Sequence, residues 1–70
     1  MANLLGLLRR SNGTLMRIHG MHLQNGIRML HVDGACVDFW ATPRQLQKHG
    51  YRIIRATPLV WDIWGKSFDG

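Results

Sequence analysis

Three sets of residues in this chain carry chemistry. The first is His22, His31, Cys36 and Asp38, which alternation along neighbouring strands places on one sheet face, with His31 opposite Cys36. Imidazole and thiolate so placed would suit a soft metal or an activated thiol. A sheet, however, projects its side chains in parallel, whereas a metal needs them convergent, and a lone cysteine offers no ligand spacing. No metal and no other cofactor is therefore expected. Nucleophilic catalysis needs a base and an orienting acid beside the nucleophile, but Ser11, Thr14, Thr42, Thr57 and Ser67 read as turn or cap residues. Glutamate is absent, paired-carboxylate chemistry lacks candidates, and no glycine-rich phosphate loop occurs. The expectation is a protein that is not an enzyme and takes no small-molecule substrate.

The second set is cationic. Nine Lys+Arg, of which seven are Arg, stand against four acids, a net charge of +5. Arg44, Lys48, Arg52 and Arg55 fall within one helix–strand unit, with His49 and Tyr51 interleaved, and Arg9 and Arg10 lie near the start. Arginine favours bidentate contact with phosphate or carboxylate, and basic residues interleaved with aromatics are the footprint of nucleic-acid contact. The third set is Trp61, Trp64 and Phe68, which share a face if the tail is helical. Such a cluster serves as a protein-binding hot spot or closes a small core.

Positioning these sets falls to a few short elements. Asn25-Gly26 and Asp33-Gly34 separate three apolar runs, and both dipeptides are strong hairpin signals because they tolerate positive φ. The fold class expected is α+β: a three-stranded antiparallel meander, a short helix and a fourth strand, with an N-terminal apolar helix or strand formed by Leu4–Leu8. The alternative is a small SH3-like β-barrel. Met21, Leu23, Leu30, Val32, Val37 and Phe39 share the face taken as core, covered by Leu46 and one face of the fourth strand. The helix carries the clearest local signal: Thr42 as N-cap, Pro43 at the first helical position, Gln45 to complete a capping box, and Gly50 as the stop. The tail from Leu59 reads equally as a last strand or a helical turn.

The 70 residues make one small domain, 1–70, and 46% hydrophobic content suits a folded chain. Cys36 is the only cysteine, so packing alone must hold the fold. No apolar run reaches membrane-spanning length, and Arg9 and Arg10 follow rather than precede the leucines, the wrong order for a secretory signal. The sequence therefore reads as cytoplasmic, without a membrane partner. The leading functional reading is a non-enzymatic basic binding module engaging nucleic acid, or a nucleic-acid-handling complex, through Arg44, Lys48, Arg52, Arg55, Arg9 and Arg10. The alternative is a small inhibitor or adaptor, of the kind phages and mobile elements carry, that binds an acidic protein surface with basic and aromatic residues such as Trp61, Trp64 and Phe68. A homo-oligomer joined through strand edges is a third possibility.

Overall fold

Turn chemistry sets the sheet. The computed structural model describes residues 4–69, with side chains among residues 4–66. Five strands, β1 (Gly6–Arg9), β2 (Leu15–Gln24), β3 (Ile27–Gly34), β4 (Val37–Ala41) and β5 (Arg52–Ala56), form one antiparallel sheet in the order β4-β3-β2-β1-β5. Helix α1 (Pro43–Lys48) joins β4 to β5, and α2 (Pro58–Asp69) follows. No described helix is long and apolar enough to cross a membrane.

The β2–β3 hairpin turns at Asn25-Gly26, both at positive φ, and pairs Met21 with Leu30 and Leu23 with Arg28, the register expected from the sequence. The β3–β4 hairpin departs from expectation. Its turn is Ala35-Cys36, at φ 50° and 67°, and not Asp33-Gly34. Val32 therefore faces Phe39 and Leu30 faces Ala41, where the sequence reading paired Leu30 with Val37. The longer strand keeps Asp33 in the ladder opposite Arg17, where it binds Arg17 and His19. Gly34 then allows a close approach, since a Cβ there would lie 2.9 Å from both the Leu15 carbonyl oxygen and the Met16 sulfur.

The change of register preserves the faces. Relative to the expected pairing, each β3 residue meets a β4 residue of the same parity, so the inward set stays inward. Leu30 and Val32 are fully buried, and Met21 and Phe39 pack against the core. Leu23 and Val37, at 58% and 55% exposure, sit toward the hairpin tips and contribute little. A bulge at His19, between Ile18 and Gly20, inserts one residue into β2, so that Ile18 and Met21 both face inward despite their odd spacing.

The N-terminal leucines form a strand. β1 is central, paired on both sides, which explains why apolar Leu7 and Leu8 can alternate faces, with Leu8 fully buried. β5 lies in the same sheet at the edge opposite β4, and Ile53 and Ala56 reach inward to the core. Cover for the inner face comes instead from the two helices. α1 contributes Leu46, and its expected capping box is present: Gln45 N donates to Thr42 Oγ1 at 3.1 Å, and Thr42 N donates to Gln45 Oε1 at 3.0 Å. α2 contributes Val60, Ile63 and Trp64, an i, i+3, i+4 stripe. Thr57 caps α2, accepting from Val60 N at 3.4 Å, and Gln47 Nε2 ties the helices together through the Trp64 carbonyl at 3.0 Å.

Candidate nucleic-acid interface

Both helices pack on the inner face, so among the described residues no element covers the outer sheet face. Alternation and register fill it with Arg52 and Arg55 of β5, Leu7 and Arg9 of β1, Leu15, Arg17 and His22 of β2, Met29, His31 and Asp33 of β3, and Asp38 and Trp40 of β4. One row crosses all five strands: Asp38, Asp33, Arg17, Leu7, Arg55. The face is thus acidic toward β4 and basic toward β5.

Like charges meet directly twice on this face, and the two meetings are treated differently. Asp33 opposes Asp38, but Arg17 Nε and His19 Nε2 approach Asp33 Oδ1 at 3.2 and 3.0 Å, and His31 Nε2 lies 3.3 Å from Asp38 Oδ2. Arg9 opposes Arg52, and neither has a carboxylate partner among the described residues. Directly opposed like charges destabilise a sheet, so this pair stands as an uncompensated concentration of positive charge. A bulge at Ile54 brings Arg55 back to the outer face, opposite Leu7. Arg10 follows at the strand end, its guanidinium 5.5 Å from the centre of the Tyr51 ring, a cation–π contact that fixes its direction. Arg9, Arg10 and Arg52 line a groove of about 540 Å³ together with Ser11, Gly50, Ile53 and Ile54.

The cations expected to act together are therefore divided. Arg52, Arg55, Arg9 and Arg10 gather at the β1–β5 corner. Arg44 and Lys48 do not join them, because Leu46 anchors α1 on the inner face while Arg52 and Arg55 project from the outer one. The helix–strand unit is thus not one surface. Arg44 instead lines a separate groove of about 500 Å³ with Arg28 and Lys66 over Ile27, Pro43 and Ile63. Lys48 is exposed in the last turn of α1.

The aromatic set is divided too. Trp64 is 4% exposed and belongs to the core, so it offers nothing to a partner. Trp61 is 48% exposed, because it lies one residue past Val60, a turn of about 100° around the helix, off the buried stripe. The side chain of Phe68 lies outside those described. Cys36 is exposed in the β3–β4 turn, and the register places His31 opposite Trp40, not opposite Cys36. No group of three or more His, Cys, Asp or Glu side chains is placed to hold a metal among the described residues.

Trp40 was not among the expected site residues. It is 50% exposed, stacked on His31 at 4.9 Å between ring centres with 19° between planes, and met edge-on by His22 at 5.9 Å. The sequence did carry a signal for it, in the alternation that sets Trp40 on the face opposite Phe39. The chain matches no family model, no curated protein and no solved structure.

Proposed function

We propose that this protein is a non-enzymatic binding module that engages nucleic acid through the arginine corner of its open sheet face. One observation carries the reading: of the opposed acids, Asp33 is paired with Arg17 and Asp38 has His31 beside it, whereas the opposed cations Arg9 and Arg52 are left without a counterion among the described residues. A phosphate between the two guanidiniums would supply the missing charge and accept bidentate hydrogen bonds from either side. Arg10 and Arg55 extend the corner along the strand direction, and a groove of about 540 Å³ lies beside it. The return of β5 to β1 after a short helix favours the SH3-like alternative over a plain meander, but such scaffolds host many functions.

The test is binding of random-sequence DNA and RNA, single-stranded and duplex, at 50 and 200 mM salt. Neutralising each phosphate contact accounts for a slope of about 0.7–0.9 in log affinity against log salt. A variant with Arg9, Arg10, Arg52 and Arg55 all changed to Gln should lose both affinity and most of the slope. Loss instead on changing Arg44 and Lys48 would move the interface to the helix side. No binding at low salt would overturn the reading in favour of an adaptor for an acidic protein surface.

A further inference from the structure

The outer face carries a second feature at its β4 side. The Trp40 indole stacks on the His31 ring of the neighbouring strand. Its far end reaches β2, where a Cβ built on Gly20 would lie 3.5 Å from Cη2. The side chain therefore reaches from β4 across β3 to β2, lying along the sheet toward a position that has no side chain. One indole face rests on imidazole, His22 abuts the ring edge-on, and half of the residue remains open to solvent. A small domain normally spends its tryptophans on the core, as this one does with Trp64. Trp40 instead forms a flat, supported and solvent-facing ring.

We propose that this face binds single-stranded nucleic acid, with an unpaired base stacked on Trp40 and the phosphates of neighbouring nucleotides held by Arg9 and Arg52. The inference rests on the nucleic-acid reading above and narrows it. A base within a duplex is covered on both sides by its neighbours and offers no free face, whereas every unpaired base does. Trp40 on β4 and Arg9 on β1 are three strand spacings apart, about 14 Å, and their partners on β2, Gly20 and Leu15, are offset by about 15 Å along the strand, so the span is about 20 Å, which a few nucleotides cover. The carboxylates that a strand would pass, Asp33 and Asp38, are already held by Arg17, His19 and His31.

The experiment compares the wild type, Trp40→Ala, Trp40→Phe and the double variant Arg9→Gln/Arg52→Gln. Each is titrated with a random-sequence 12-nucleotide single strand and with the duplex of the same length. Losing one stacked base should weaken single-strand binding by roughly 5- to 150-fold on Trp40→Ala. Duplex binding and the salt slope should not change, Trp40→Phe should recover most of the loss, and the arginine variant should weaken both ligands. In a Trp61→Phe background, where Trp40 and buried Trp64 emit, single strands should quench the emission and duplexes should not, and the quenching should vanish when Trp40→Phe is added. Unchanged single-strand binding by Trp40→Ala, with the arginine variant still weakened, overturns the inference and leaves the broader reading standing. Equal loss on both ligands overturns it as well, since stacking has no duplex counterpart. An arginine variant with unaltered affinity and salt slope removes the nucleic-acid reading itself.

Discussion

Changing Arg9 and Arg52 to Gln should make the protein more stable. Their Cα positions are partners on β1 and β5, and no carboxylate among the described residues lies between the side chains. A like-charge pair in this position costs roughly 0.2–1 kcal/mol. For a domain of this size, relief of that cost corresponds to a rise of about 1–8 °C in Tm. The repulsion belongs to the pair, so either single variant should recover nearly all of the gain and the double variant should add little, a marked departure from additivity. The gain should also shrink in 1 M salt, where the screening length falls to about 3 Å. Urea unfolding of the wild type, both single variants and the double variant, at 20 mM and 1 M NaCl, reads all three features. Additive changes, a gain indifferent to salt, or a loss of stability at low salt would refute the claim that the two guanidiniums burden each other. A stabilising substitution that weakens binding would mark the pair as retained for a ligand.

Four further outcomes follow from the packing. Trp64→Ala should cost about 3–5 kcal/mol as a fully packed aromatic, whereas Trp61→Ala should change stability by less than about 1 kcal/mol, both read from urea midpoints. Ala35→Asn with Cys36→Gly should stabilise the β3–β4 hairpin by about 1 kcal/mol in thermal melts, because both turn residues hold positive φ that Asn-Gly adopts more readily. Gly34→Ala should destabilise by about 1–3 kcal/mol in the same melts, since φ is 148° and the new methyl would press on the Leu15 carbonyl. Thr42→Ala should cost about 1 kcal/mol, and a cycle with Gln45→Ala should show the two coupled through the capping box.

Local chemistry was the legible part of this sequence. The box at Thr42-Pro43-Arg44-Gln45 and the Asn25-Gly26 turn are specified by a few adjacent residues, and both stand where the sequence places them. The same vocabulary announces α2, for Thr57-Pro58 repeats the Thr42-Pro43 start, and an undecided tail resolves into a helix once that pair is read as a cap. Asp33-Gly34 misled because a turn signal competes with tertiary contacts: Asp33 gains Arg17 and His19 by staying in the ladder, and the turn moves to two residues with no preference for it. The arginine corner was half legible. Its members were named from charge alone, but nothing local separates Arg44 from Arg52. That separation depends on which face of a sheet a helix covers, a matter of chain path and not of spacing. Trp40 was missed because its platform needs Gly20 and His31, which come from two other strands.

The β1–β5 pairing has a consequence for how the protein is made. The hairpins from β2 to β4 join near neighbours in the chain and can form as soon as they leave the ribosome. The ladder between Arg9 and Arg52 closes a loop containing most of the sequence, and it must wait for α1 and β5 to be synthesised. The positive corner therefore closes only after β5 has been made, across a seam whose two sides are translated far apart in time. A nascent chain holds Arg9 and Arg10 before Arg52 and Arg55 exist, so the proposed interface takes shape only once the seam is closed.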